Sequence, residues 1–511
     1  MNRLGRVFAL AGVLGLGCVG PTLIAQPPNP GKEKPLPEVS PEKPKAPKEP
    51  PPDSLPAKAA ATIPATWAEL SNGMKIVSRS NRSIPTVQLR VAIQAGSSVD
   101  GEHTGLSALC TKAMAASGTG SLDDTQFKAK LEALGASLSV DVASDYAMVG
   151  LSVVSSRLGD ALELVSQIIT KPRLGDADVA RVQKQLAEEL EENARGDGRW
   201  GVMMMMHRDL FDLPTEHHPY ASYDATAEDI RKIKPADCKE WHRKYFTGPN
   251  VLVAAGGDVD PQKLRTFAAK GFGSLPKKAA PSVSFTDPMT AGGQKITLVE
   301  RKGGTQSEVA IGTLGPKKTD AVYAPFVVAG GVIGGIFSGR LWTDVREKQG
   351  LAYLTFSSLE GYANGPAVFY LYAQTQNEST GKALQALLDH AQKLASESPS
   401  AEEVERASRF YVGIHAIDRG HPRYAVEELV DSWVYRNSED MSAELEKAVL
   451  KTTPDEARKA FAEFARSGHW TIVVSGDSSS IGSELQKFGE VKVVDPTQSF
   501  NRIRTLPFLN K

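Results

Sequence analysis

The chain has 511 residues, 41% of them hydrophobic, which excludes a fibrous or wholly disordered protein and leaves room for several domains with a sizeable core. Its formal net charge is -1, and no basic stretch is interleaved with aromatics, so nothing recruits nucleic acid through its phosphates.

The first predicted element, residues 1–25, has Arg3 and Arg6 ahead of an apolar run from Val7 to Val19 that is too short for a stable membrane span. It has the form of an export signal, which predicts an exported protein, periplasmic or envelope-associated. Two processing routes are open: cleavage after Ala25 in "TLIAQ", or a lipoprotein route in which Cys18 of "LGLGC" becomes an acylated N-terminus and attaches the chain to a membrane. Residues 26–61 are dense in Pro, Lys and Glu and poor in large apolar residues, so they read as an extended, disordered tether. If Cys18 is lost or lipidated, only Cys110 and Cys238 remain. Two separate buried thiols are the expectation, one bridge the alternative.

From about Thr62 the chain turns globular and repeats itself. "GPNVLVAAGGDVDPQKL" (248–264) and "SGHWTIVVSGDSSSIGSEL" (467–485) share an apolar strand, a Gly-Asp turn and a following helix. Each is preceded by a similar helical stretch, and each half also carries an earlier strand signal, "TVQLRVAIQAG" and "SEVAIGTLG". A repeat of about two hundred residues means a duplicated domain rather than a solenoid. Alternating segments such as "YAMVGLSVV" predict strands, and the periodicity of "DALELVSQIIT" and "ADVARVQKQLAEELEENA" predicts helices. The predicted class is α+β: two homologous domains, 62–280 and 295–511, joined by a Pro/Gly/Ser-rich linker over 281–294. Each is expected to be an antiparallel-rich sheet with helices packed on one face.

The stretch "LSNGMKIVSRSNRSIPTVQLRVAIQAGSSVDGEHTGLSALCTKAMAASGT" resembles the opening of the pitrilysin/insulinase/mitochondrial processing peptidase family of zinc metallopeptidases. Its Asn-Gly hairpin, strand ending in Ala-Gly-Ser, acidic loop, Gly-Leu helix start and Gly-Thr exit come in the family's order. "AEELEENARGD", "HHPY" and "GPNVLVAAGGDVD" resemble later landmarks, and "FSGRLWTDVREKQGLAY" resembles the family's paired domain. The resemblance implies two domains facing each other across a cavity. It also implies an inverted zinc motif, His-x-x-Glu-His, whose two histidines share one helical face while the glutamate serves as general base.

Aligned on Gly105-Leu106, the first histidine position holds Ala108, the base position Thr111 and the second histidine position Lys112; a shift of one residue either way also finds no histidine. The third ligand position falls on Glu188 or Glu189, in a glutamate-rich run that reads as a solvated face, and the family's downstream Asn position holds Ser139. His103 lies in a loop and lacks a partner at helical spacing. His217 and His218 match a family loop with no implied catalysis, and the four methionines at 203–206 read as core packing. No metal site, cofactor or catalytic residue is therefore expected in this chain.

Arg346 and Tyr353, seven residues apart in "VREKQGLAY", match a pair that in active members donates hydrogen bonds to substrate carbonyls and to the tetrahedral oxyanion. A structural alternative pairs Arg346 with Asp344 or Glu347. The resemblance implies a subunit that is not catalytic alone. It would bind peptide and supply Arg346 and Tyr353 to a zinc-bearing homologous partner, with zinc only in that partner. A peptide-binding or scaffold pseudopeptidase without a proteolytic partner is the alternative.

Overall fold

The computed structural model describes residues 63–213, 217–283, 285, 286, 288, 293–435, 441–465 and 469–509. The export signal with Cys18, the tether over 26–61 and part of the 281–294 linker lie outside the described residues.

Thirteen strands among the described residues form two sheets. The first contains β1 (Thr66–Glu69), β2 (Lys75–Ser80), β3 (Thr86–Ile93), β4 (Ser137–Val142), β5 (Ala147–Val154) and β6 (Val251–Gly257), in the order β1-β2-β6-β3-β5-β4. The second contains β7 (Lys295–Glu300), β8 (Gln306–Gly315), β9 (Ala352–Glu360), β10 (Ala367–Gln376), β11 (Thr471–Gly476), β12 (Val491–Asp495) and β13 (Asn501–Leu506), in the order β13-β12-β7-β11-β8-β10-β9. The segment β2-β6-β3-β5-β4 is reproduced as β7-β11-β8-β10-β9. In each copy the first pair is parallel and the other pairs antiparallel, so the duplication read from the sequence is a duplication of topology.

Strand alternation divides the core. In the first sheet Leu89, Val91, Val149, Leu151 and Val253 face the half's own helices, while Ala92, Met148, Leu252 and Ala254 point to the other side. That other side is covered by a helix of the second half. Helices α1 (Leu106–Ala116), α2 (Asp124–Ala133), α3 (Asp176–Gly196), α4 (Gly198–Leu210) and α5 (Pro235–Tyr245) belong to the first half, and α6 (Thr380–Ser396) and α7 (Pro422–Val434) to the second. Helix α4 packs on β7, β8 and β11, and α7 packs on β2, β3 and β6, so each half lends the other one helix.

A glycine on each sheet makes room for the borrowed helix. A Cβ at Gly312 would lie 2.3 Å from the Met206 sulfur, and one at Gly256 would lie 2.5 Å from Val426 Cγ2. The exchange also accounts for the methionine run. Four consecutive large residues cover every side of a helix, which suits a helix enclosed all round, and Met203 to Met206 are at most 2% exposed. Arg79 pairs with Glu428 at 2.7 Å and Arg90 with Glu427 at 3.4 Å, fixing α7 to β2 and β3.

At the same seam the β4–β5 turn meets the β9–β10 turn. Asp145 Oδ2 accepts from the Ala363 backbone N–H at 2.9 Å, and Asp145 Oδ1 accepts from the Tyr220 hydroxyl at 2.6 Å. The Tyr220 ring stacks on Tyr362 with 4.3 Å between centroids.

Candidate functional site

Helix α1 starts where a residue with positive φ is required, and Gly105 supplies it at +88°. The helix N-terminus is held by Asp100, whose Oδ2 accepts from the Gly105 N–H and Oδ1 from the Ser107 N–H, both at 2.9 Å. Burial pushes the Asp100 carboxyl up to about 7, against the opposing hydrogen bonds from Ser107, Gly105 and Leu106. The sequence reading passed over this residue. Its signal was an aspartate a few residues before a glycine-led helix.

The three metal-motif positions do three different things. Ala108 offers no donor. The Thr111 side chain is buried and its hydroxyl donates to the Ser107 carbonyl at 2.7 Å, within its own helix. Lys112 reaches across to α3, where its Nζ donates to Glu189 Oε2 at 2.9 Å. Glu188 instead turns to solvent beside Lys184. Of the two candidates for the third ligand position, Glu189 is thus the one that faces α1, and it faces an ammonium. The donor set does not fit zinc: one position has no donor, one hydroxyl is already bonded, and the third carries a positive charge. Among the described residues there is no group of three or more His, Cys, Asp or Glu that could hold a metal ion.

Lys112 and Glu189 are among the residues that line a cavity of about 510 Å³ between α1, α2, α3 and β4. Phe127, Leu131, Leu138 and Leu186 supply apolar lining, and Ser139 adds a hydroxyl. β4 is the outermost strand of its sheet, so one of its edges is not paired by a strand among the described residues.

Arg346 and Tyr353 come together in the second half. Arg346 lies in a π-helical segment, Leu341–Lys348, and Tyr353 at the start of β9; the guanidinium carbon is 5.4 Å from the Tyr353 ring centre. It is closer still, 3.7 Å, to the ring of Trp342. The expected structural alternative does not hold, because both carboxylates are committed elsewhere. Asp344 Oδ2 accepts from His390 Nε2 on α6 and from Gln349 Nε2, both at 2.8 Å, and Glu347 Oε1 accepts from the Trp342 indole N–H at 3.0 Å. Arg346 makes no ion pair among the described residues, and Tyr353 is 77% exposed. Trp342 is the neighbour of Arg346 that sequence reasoning missed, although an aromatic four residues before an arginine was visible.

His103 is an exposed loop residue. His217 Nε2 meets the Ser222 hydroxyl at 3.0 Å, and burial, then Arg208, lowers its pKa. The buried His218 ring accepts from the Tyr220 N–H and stacks on Phe211. Cys110 and Cys238 correct the expectation of separate thiols: they form a disulfide that staples α1 to α5. A span of 128 residues separates them, which is why spacing alone did not pair them.

Comparison with known proteins matches residues 75–221 to the family "Insulinase (Peptidase family M16)" and residues 232–411 to "Peptidase M16 inactive domain". The chain is 26% identical over 284 residues to cytochrome b-c1 complex subunit 1, mitochondrial, of Bos taurus, a match covering 54% of this chain and 57% of that one. It is 23% identical over 361 residues to an uncharacterized zinc protease of Mycobacterium tuberculosis, covering 69% of this chain and 80% of the relative. Among solved structures, a peptidase M16 inactive domain from Pseudomonas fluorescens matches with a TM-score of 0.72 and 24% identity, covering 81% of this chain and 98% of that one. A protease from Helicobacter pylori matches with a TM-score of 0.72 and 19% identity over 81% and 100% of the two chains. Both structures speak to the fold alone. With its duplicated sheet and a first half whose metal positions hold Ala108, Thr111 and Lys112, this chain belongs to the M16 peptidase family.

Proposed function

We propose that the chain is a non-catalytic, peptide-holding subunit of an exported zinc peptidase, contributing Arg346 and Tyr353 to a zinc-bearing homologous partner. The observation that carries this reading is a contrast between the two halves. Where the metal site would stand, Lys112 and Glu189 are joined to each other; on the other half, Arg346 and Tyr353 are grouped with no ion-paired carboxylate among the described residues. A guanidinium fork and a phenol donate to backbone carbonyls, and in a water-poor site they stabilise the negative charge that develops when a carbonyl is attacked. The zinc and the general base belong to the partner in this reading, and peptide to the space between.

The disulfide supports an oxidising compartment, and with it the export signal and periplasmic or envelope location read from residues 1–25. Attachment to a membrane through a lipid on Cys18 belongs to the same proposal.

The test is co-purification with a zinc-bearing M16 homologue from the same organism. This chain alone is expected to bind no zinc and cleave no peptide. The pair is expected to cleave, and Arg346→Ala or Tyr353→Phe to lower kcat about 100-fold. Full activity of the partner without this chain overturns the proposal.

A second reading is a scaffold subunit with no proteolytic partner. The match to a cytochrome b-c1 complex subunit favours it. A complex that forms and stays inactive on every peptide tried would decide for this reading.

A further inference from the structure

We infer that the cavity between the end of α3 and the β7–β8 turn is a binding site for a soluble diphosphate-type anion, held by Arg195, Arg301 and Lys302. This site is independent of the peptide-holding reading, since none of the three belongs to the metal-motif positions or to the Arg346 and Tyr353 group.

The cavity measures about 480 Å³ and falls within the roughly 300–1,000 Å³ of small-molecule sites. The last turn of α3 brings Arg195 from the first half. The β7–β8 turn brings Arg301 and Lys302 from the second, and the turn after β12 adds Asp495. Among the described residues that line it, none carries an aromatic or large aliphatic side chain, so an apolar ligand has nothing to pack on. A Cβ at Gly198, the first residue of α4, would lie 2.0 Å from Arg301 Nη1. The missing side chain there lets this guanidinium reach from the second half to the first.

The carboxylates around the cavity are engaged, and the cations are not. Glu300 accepts from the Ser478 N–H and hydroxyl and from Arg504, and Asp495 accepts from Thr497 and Gln498. Glu308 and Asp477 are the acids whose charge acts on Arg301 and Lys302. Glu308 is held by Tyr372 and Gln374, and Asp477 by the Gly303 and Ser479 N–H groups. Arg301 and Lys302 make no ion pair among the described residues; Arg301 donates a long bond, 3.4 Å, to the Gln306 carbonyl. Arg195 lies 3.8 Å from Glu191, which Arg231 holds more closely.

Cationic donors in excess of free acceptors call for an anion, and their placement chooses its kind. A planar carboxylate offers two oxygens on one side. A diphosphate offers oxygens in several directions and charge enough for three cations, meeting arginine as a fork and lysine as a point charge. Its occupancy joins the two halves, because the cations come from both.

The test uses the full chain with sodium pyrophosphate, inorganic phosphate and succinate in isothermal titration calorimetry, and thermal unfolding in parallel. Pyrophosphate is expected to bind once per chain, about tenfold more tightly than phosphate or succinate, and to raise the unfolding midpoint by mass action. Arg301→Ala and Lys302→Ala are each expected to weaken it about tenfold, and Lys263→Ala, an exposed lysine that does not line the cavity, to leave it unchanged. Lys302 is itself exposed, so its variant reads binding without disturbing the packing. Pyrophosphate binding that survives intact in Lys302→Ala and in Arg301→Ala overturns the site. Succinate bound as tightly as pyrophosphate overturns the choice of phosphate. Retention on phosphatidylglycerol vesicles without pyrophosphate binding assigns the cations to a membrane surface and overturns the inference, as does binding of none of the three anions.

Discussion

Lys112 of α1 and Glu189 of α3 form an ion pair at 2.9 Å, so an ammonium group faces one of the two carboxylates, Glu188 and Glu189, on which the family resemblance places the third metal-ligand position. The helix pair is therefore still bridged by a positive charge, though one that cannot activate water.

The first prediction tests that register. The triple substitution Ala108→His, Thr111→Glu and Lys112→His rebuilds the inverted motif with Glu189 in reach and is expected to bind about one zinc ion per chain by native mass spectrometry. Binding should be lost when Glu189→Gln is added. Lys112→Ala alone is expected to cost less than about 1 kcal/mol, because the side chains are 40% and 59% exposed and solvent screens the pair. A triple variant that folds but takes up no zinc would show that α1 is in the wrong register for the motif.

The second concerns the staple behind that helix. Replacing Cys110 and Cys238 together with alanine releases a loop of 128 residues and is expected to cost about 2–4 kcal/mol, read from urea unfolding without reductant. Equal stability of the double variant and the parent would mean that the packing of α1 on α5 suffices without the bond.

How much of this was legible follows the range of each interaction. The Gly105-led helix and the repeated strand, Gly-Asp turn and helix are local patterns that the sequence shows directly, and the family resemblance set the register in which Ala108, Thr111 and Lys112 take the metal-motif positions. The reciprocal exchange of α4 and α7 is not local. Met203 to Met206 gave a compositional trace of it, since a helical turn apolar all round must be enclosed, but the strands that enclose it, β7, β8 and β11, begin at residues 295, 306 and 471, far along the chain. Lys112 and Glu189, 77 residues apart, and Cys110 and Cys238 belong to the same class. Trp342 over Arg346 is different: its spacing was readable, and the widened helical turn that makes the stack was not.

A third prediction addresses the seam between the halves. Burial raises the Asp145 carboxyl, and the hydrogen bonds from Tyr220 and Ala363 oppose it. Tyr220→Phe keeps the stack on Tyr362 but leaves Asp145 Oδ1 without its donor, at a cost of about 1–3 kcal/mol. Because the contact joins the two sheets, the same variant should raise hydrogen exchange at the Ala363 and Asn364 amides, which bond to Asp145 and to the Tyr220 hydroxyl. Unchanged protection there would separate the hydroxyl from the closure of the seam.

The last prediction is a pH dependence at the start of α1. Folding raises Asp100 from near 3.8 to about 7, with burial as the main cause. The folded chain therefore holds this proton more tightly than the unfolded chain. The contribution is fully present below the unfolded value and is lost as pH rises from about 4 to about 7, on the order of 4 kcal/mol in all. Asp100→Asn removes the titration and keeps one acceptor for the Gly105 or Ser107 N–H. Measured against the parent by urea unfolding at fixed pH steps, the variant should gain ground steadily from pH 4 to 7 and hold a constant difference above. The opposite slope would mean that the two backbone N–H groups and the helix N-terminus outweigh burial, and that the Asp100 carboxylate is the form the fold prefers.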